Sequence, residues 1–418
     1  MSTLVIEGGK RVEGRVDVEG NKNAALPLIA ACLLTDQWCT LRNMPRIADV
    51  EVMARLLLDL GAEVEGIGST TLRIRCANVG NDEPDSGLVG RLRGSVLLLG
   101  PLLARRGRAI VAPPGGDFPA RRSIKTHLEA LMAMGAKQLP GSGHRLEAAK
   151  GLKPASIYLD EASVTGTETA LLAAAAAAPG TSEIRHAACE PHVVELCEFL
   201  QSMGVGITGA GSHTIRVEGL QKPNGAAKTL YGDYIEAGSW AVVGAITGGH
   251  IEVGGTRPVD MEVVASVLTK LGVHCVQDND LFRVEVKRLV GAGRITTGLW
   301  PGFPSDLVSL VTVLATQAEG ATLVHDWMYE LRLFALEQMS GMGADLFLCD
   351  PHRIIVTGPR RLRGKSLDSR DIRSGMALIA AALIAEGTSR VEPLETVERG
   401  YSRVVERLQK LGASVTRI

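Results

Sequence analysis

The chain has 418 residues, more than one ordinary core supports, so its length predicts two domains. Apolar residues make up 45% and charged residues 22%, and the formal net charge is −1. That balance excludes a global field for nucleic acid or an acidic membrane, so any anion site must be a local cluster of Arg and Lys. Seven scattered cysteines with no CxxC argue for reduced thiols and against zinc or a disulfide frame. The opening MSTLVIEGGKRVEG lacks the apolar core of a signal peptide. The longest apolar run, ALLAAAAAA at 170–178, is too short to span a bilayer and predicts a packed core helix stopped by Pro179-Gly180.

In chain order, two phrases alternate. The first is an apolar helix, a turn and a strand: LIAACLLTDQWCTL, LLGPLLARRGRAIV, LLAAAAAAPGTSEI, AVVGAITGGHIEV, LVTVLATQAEGATLV and LIAAALIAEGTSRV. The second is an amphipathic helix, a glycine, a small residue and a strand: LLLDLGAEV, ALMAMGAKQ, FLQSMGVGI, VLTKLGVHC, QMSGMGADL and RLQKLGASV. Its glycines, Gly61, Gly135, Gly204, Gly272, Gly343 and Gly412, are spaced by 74, 69, 68, 71 and 69 residues. A glycine ends a helix cheaply because it enters the left-handed region without a Cβ clash. Ala, Leu and Gly dominate the first set of helices, which predicts burial all round. Six units of about seventy residues divide into two domains of three; solenoid units are shorter, roughly 20–50 residues. GIGSTT and GAGSHT fall between strands, read as hairpin turns, and GAGSHT lacks the lysine of a phosphate loop. Nine histidines show no metal-ligand spacing.

Several stretches carry candidate chemistry. PPGGDFPARR (113–122) frees its backbone at Gly115 and Gly116, then places Asp117 ahead of Arg121 and Arg122. From the residues alone, Asp117 is either an acid acting on a substrate or a loop carboxylate pairing with its own arginines. In GFPSDL (302–307), Ser305-Asp306 suits a helix N-cap. YGDYIEAG places two acids, Asp233 and Glu236, three residues apart. Glu190 in CEPHVVE suits an exposed charge at a helix start.

The six units, with EGNKNAALPLIAACLL near the start and ERGYSRVVERLQKLGA at the end, resemble the enolpyruvyl transferases over essentially the whole chain. The match to NKNAALP and GGDFPARR is better in the members that act on UDP-N-acetylglucosamine than in those of the shikimate pathway. The resemblance implies a two-domain inside-out α/β barrel, residues 22–232 forming one domain and 1–21 with 233–418 the other, closing over the substrates. It implies a cytoplasmic enzyme, a monomer or weak homo-oligomer, that needs no cofactor or metal and moves an enolpyruvyl group from phosphoenolpyruvate to a sugar hydroxyl. That reaction needs cations for phosphate and carboxylate, an acid for C3 of the enol and a base for the hydroxyl.

Carried over residue by residue, Lys22, Arg122 and Arg399 match ligands of phosphoenolpyruvate, and Arg93, Arg332 and Arg373 match positions near the reacting centre. Asn23 matches the residue that holds the sugar, Asp306 the aspartate near its hydroxyl and so the base, Glu190 an acid near the cleft, and Asp233 and Glu236 charged positions at the interdomain crossing, which implies a supporting or hinge role. Ser163, Val164 and Thr165 match a diphosphate cradle, and Met328 a substrate contact. Asp117 stands where many members carry the cysteine alkylated by fosfomycin, so the resemblance implies an aspartate acid in a closing loop and insensitivity to that drug. The nucleotide side departs from the common pattern. Lys125 replaces an aspartate, Glu161 replaces a lysine beside the diphosphate, and Ala48 and Tyr234 replace a lysine and an arginine. These changes leave open an acceptor other than UDP-N-acetylglucosamine, or a paralogue that binds without catalysing.

Overall fold

The computed structural model describes residues 2–115, 123–330 and 332–418. The chain divides into two compact units, with breaks at Glu19/Gly20 and Tyr231/Gly232. Each unit has its own core: Ala24 to Leu230 in one, and Leu4 to Val18 with Tyr234 to Val415 in the other.

The first phrase forms one helix per repeat: Lys22–Ala31, Leu99–Arg106, Val164–Ala175, Tyr234–Ile246, Val308–Ala315 and Ile372–Ile384. These are the inner helices, three in each unit, and most of their residues are closed to water on every side. Small residues let them approach. A Cβ on Gly100 would lie 3.1 Å from the Thr169 carbonyl oxygen, and one on Gly238 would lie 2.7 Å from Leu307 Cδ1. Trp240 fills the centre of the Tyr234–Ile246 helix with no exposed surface. Truncating such a residue to Ala costs about 3–5 kcal/mol. The 170–178 run contributes only through Ala175, where its helix ends, because Pro179 has no N–H with which to continue it.

The second phrase behaves as its glycines predict. All six take positive φ, between 86° at Gly272 and 105° at Gly343. Five follow α-helices (Ala48–Asp59, Lys125–Ala133, Pro191–Ser202, Pro258–Lys270, Val404–Lys410); the fifth copy differs, ending a 3-10 segment, Arg332–Met342. GIGSTT and GAGSHT turn between antiparallel strands, Glu63–Glu65 with Thr71–Arg75 and Gly206–Thr208 with Thr214–Glu218.

Six small sheets cover the inner helices. Most of their strands alternate buried and exposed residues, as Thr214–Glu218 and Arg353–Gly358 do, so one face packs inward and the other meets water. The last sheet completes itself from the other end of the chain. The strand Leu4–Glu7 lies between Thr388–Glu392 and Ser414–Arg417, antiparallel to both. Among the described residues, no helix is long and apolar enough to cross a membrane.

Candidate active site

Most of the described candidate residues lie at the starts of helices, where unpaired backbone N–H groups and the helix dipole favour anions. Each unit carries its own cluster.

In the unit spanning Gly20 to Tyr231, the Lys22–Ala31 helix opens with Asn21 as its cap. Asn21 accepts from the N–H groups of Asn23 at 2.8 Å and Ala24 at 3.3 Å. Lys22 follows, buried, with Nζ 2.8 Å from Asp49 Oδ2. Ser163 caps the Val164–Ala175 helix by accepting from Gly166 N at 3.2 Å, which places Val164 and Thr165 in its first turn. Thr165 Oγ1 lies 2.8 Å from His127 Nε2, tying that turn to the Lys125–Ala133 helix. Burial, with Arg93 nearby, pushes His127 down to about 4, so its ring is neutral at physiological pH. Arg93 Nη2 donates to the Ser123 carbonyl at 3.1 Å.

Lys125 stays exposed and pairs with two acids, Asp160 at 2.8 Å and Glu129 at 3.1 Å. Asp160 immediately precedes Glu161, so the positive charge at 125 stands beside the loop whose lysine is lost. Glu190 occupies the cap position of Pro191–Ser202 without a capping bond, and it is half-buried, so the exposed helix-start account is corrected. The neighbouring Glu168 is fully buried, and burial with the Glu190 charge holds its carboxyl well above the usual range.

Asp117 and Arg122 lie outside the described residues, as do Arg121 and Gly116. Gly115, at the edge of that segment, is required by close packing. A Cβ there would sit 1.9 Å from the Gly90 carbonyl oxygen.

The other unit holds a continuous polar chain. Asp306 accepts from Arg332 Nη1 at 3.0 Å through one oxygen and from Arg373 Nη2 at 3.4 Å through the other. This corrects the helix-cap account: Pro304, not Ser305 or Asp306, holds the cap position. Arg332 also donates to Ser305 Oγ at 2.9 Å, and Ser305 in turn donates to the fully buried Asp326 at 2.6 Å. Asp326 receives Met328 N at 3.3 Å, which fixes the Met328 turn. Tyr329 lies under the Arg332 guanidinium, 4.5 Å from ring centre to Cζ.

Arg373 sits in the first turn of Ile372–Ile384, and the cap of that helix is Asp371, which accepts from Arg373 N and Ser374 N, both at 2.9 Å. Burial acts to lower the Arg373 guanidinium, but Tyr401, Asp306 and Asp233 raise it further, so it stays charged. Arg399 ends the short helix Leu394–Glu398, half-buried, and the next residue, Gly400, packs against Arg373.

Asp233 caps the Tyr234–Ile246 helix, accepting from Ile235 N at 2.9 Å and Glu236 N at 3.1 Å. Tyr234 is buried and meets the Trp300 ring edge-on at 5.5 Å, an apolar use of its position. Sequence reading missed Asp49, Asp326, Asp371 and Tyr401. Asp371 alone carried a local signal, an aspartate ahead of an apolar helix in SRDIRSG.

The repeat fold and these arginine-lined helix starts define a two-unit transferase scaffold built to hold anions. The family model for EPSP synthase (3-phosphoshikimate 1-carboxyvinyltransferase) matches residues 6–408, and the chain belongs to that family. Curated relatives called UDP-N-acetylglucosamine 1-carboxyvinyltransferase match it end to end. The one from Borreliella burgdorferi is 40% identical over 426 aligned positions, covering 100% of this chain and 99% of the relative. The one from Bradyrhizobium diazoefficiens is also 40% identical, covering 99% and 97%. Among solved structures, the enolpyruvyl transferase NikO from Streptomyces tendae superposes with a TM-score of 0.89 at 25% identity, covering 100% of this chain and 98% of that one. EPSP synthase from Acinetobacter baumannii gives 0.77 at 20% identity with full coverage of both, a likeness of fold.

Proposed function

We propose that the chain transfers the enolpyruvyl group of phosphoenolpyruvate to the 3-hydroxyl of UDP-N-acetylglucosamine and releases phosphate. The observation that carries this reading is Asp306 held between Arg332 and Arg373, in a chain matched end to end by relatives of that name.

The chemistry divides among the residues. Lys22, Arg93, Arg122, Arg373 and Arg399 hold the phosphate and carboxylate of phosphoenolpyruvate; the arginine fork suits both anions. Asn23 and Met328 contact the sugar, and the Ser163–Thr165 turn receives the diphosphate. Asp117 gives a proton to C3 of the enol, and C2 becomes the electrophile. Asp306 takes the proton of the attacking hydroxyl as its oxygen bonds to C2, giving a tetrahedral adduct. Loss of a C3 proton and departure of phosphate then restore the double bond. The product is a precursor for cell-wall peptidoglycan, made in the cytoplasm. An aspartate at 117 also makes the enzyme insensitive to fosfomycin.

Lys125 fits the nucleotide end of this reading. Its ammonium offsets Asp160, next to Glu161, so an anionic acceptor meets less repulsion there.

The test is phosphate release from phosphoenolpyruvate, with and without UDP-N-acetylglucosamine, for the wild type and Asp117→Asn. Release that needs the sugar nucleotide and collapses in the variant supports both acceptor and acid. Release only with UMP or another nucleotide overturns the acceptor; no release with any acceptor overturns the reaction.

A further inference from the structure

Arg373 is braced from behind by two residues with no part in the chemistry above. Tyr401 is fully buried, its ring centre 5.4 Å from the Arg373 guanidinium carbon. Its hydroxyl lies 2.8 Å from Ser239 Oγ, on the fully buried second turn of Tyr234–Ile246. Proton bookkeeping fixes the direction of that bond. Ser239 Oγ is also 2.7 Å from the Ile235 carbonyl oxygen, which can only accept. The serine hydrogen is therefore committed to Ile235, and Ser239 must accept from Tyr401. The phenol proton points at Ser239, so the phenol turns lone pairs and ring rather than a proton toward the nearby Arg373 guanidinium. Burial pushes the Tyr401 hydroxyl up, which keeps it a proton donor.

The guanidinium is then held on two sides. Nη2 faces Asp306, the Tyr401 ring lies on a second side, and Nη1 is buried with no hydrogen-bond partner among the described residues. A buried, unsatisfied cationic N–H is costly unless something anionic meets it. Gly400 closes the remaining side: a Cβ there would lie 2.4 Å from Ile372 Cγ2 and 3.8 Å from Arg373 Nη1.

We propose that Tyr401, oriented by Ser239, is a positioning residue that fixes the Arg373 guanidinium so that Nη1 presents to the phosphoenolpyruvate anion. The proposal rests on the reading of Arg373 as a phosphoenolpyruvate ligand.

The experiment compares wild type, Tyr401→Phe, Ser239→Ala and the double variant. Calorimetry gives the Kd for phosphoenolpyruvate, steady-state phosphate release gives KM for each substrate, and each melting temperature is recorded. Tyr401→Phe keeps the ring and removes one oxygen, while Ser239→Ala leaves the phenol without its acceptor. The expected result is a rise of about tenfold in Kd and KM for phosphoenolpyruvate in Tyr401→Phe, the scale of one charge-assisted hydrogen bond. The KM for the sugar nucleotide stays within about twofold. Ser239→Ala moves the same way, and the double variant is no worse than Tyr401→Phe, because both act through one contact. A merely structural role would lower the melting temperature and leave the affinity ratio unchanged, and that result overturns the proposal. Additive effects overturn it too. If Tyr401→Phe does not fold, Ser239→Ala decides alone by the same Kd. A wild type that does not bind phosphoenolpyruvate sinks the functional reading and this proposal together; a wild type that binds it, with variants that bind equally well, sinks the proposal only.

Discussion

Lys22 Nζ lies 2.8 Å from Asp49 Oδ2, and the two side chains are only 11% and 5% exposed. A lysine in the first turn of a helix faces the positive end of the dipole, an unfavourable place for a cation. Asp49 offsets that cost and holds the ammonium in place. Breaking one partner of such a buried pair typically costs about 3–5 kcal/mol. Asp49→Asn is therefore expected to lower the melting temperature clearly and to weaken phosphoenolpyruvate binding. Lys22→Ala is expected to lower kcat/KM for phosphoenolpyruvate by about a hundredfold or more, since it removes a cation from the transferring group. Calorimetric melting with steady-state kinetics checks both; an Asp49→Asn variant that melts with the wild type would show that the pair contributes nothing.

Asp306→Asn keeps the shape of the side chain and removes its charge. The expected outcome is a fall in kcat of about 10²–10⁴, the range of a lost general base. Phosphoenolpyruvate affinity is retained, because Arg332 and Arg373 remain. A kcat within a few fold of wild type would remove Asp306 from the chemistry.

Asp117 is tested through fosfomycin. The wild type is expected to keep full activity after prolonged exposure, because a carboxylate forms no stable thioether. Asp117→Cys is expected to lose activity with time and to gain the mass of one drug molecule. A covalent adduct on the wild-type loop would end the assignment.

Glu236 carries a pH signature in stability. Burial pushes its carboxyl up to about 7, against the pull of Arg407, which bonds it. The native state therefore binds more protons than the unfolded chain between about pH 4.5 and 7. The contribution of this group is fully present below that window and is lost as pH rises through 7. His127, depressed to about 4, acts in the opposite sense in the other unit. Comparison with Glu236→Gln isolates the first effect: the wild type is expected to lose melting temperature relative to the variant from pH 5 to 7. A constant difference across that range would place the Glu236 titration elsewhere.

The repeat is written locally and was legible. Each Gly61-type glycine stops its helix because of its own backbone freedom, and all six glycines do so in the structure. The Ala- and Gly-rich helices declared their burial by having no polar face. The fifth repeat departs, because Arg332–Met342 tightens into a 3-10 segment while placing Arg332 beside Ser305 and Asp306. Candidate residues such as Lys22, Asp306 and Arg373 were reached through the resemblance of their motifs. Local pattern alone read Asp306 as part of a helix cap and Glu190 as a surface charge; their chemical roles came only from the resemblance.

Tertiary structure decided the partners. Asp49 reaches Lys22, Asp326 reaches Ser305, and Tyr401 reaches Ser239 across 27, 21 and 162 residues of chain. No periodicity or spacing encodes such pairs, because a side chain's partner is set by which helix packs against which. Lys125 shows the same limit: its charge was plain in the sequence, but only the fold turned it onto Asp160. The sequence by itself determined the repeating units, their glycine stops and their buried helices, since those follow from backbone freedom and hydrophobic burial within about seventy residues. The hydrogen-bonded surroundings of each charge were decided only when distant repeats came together.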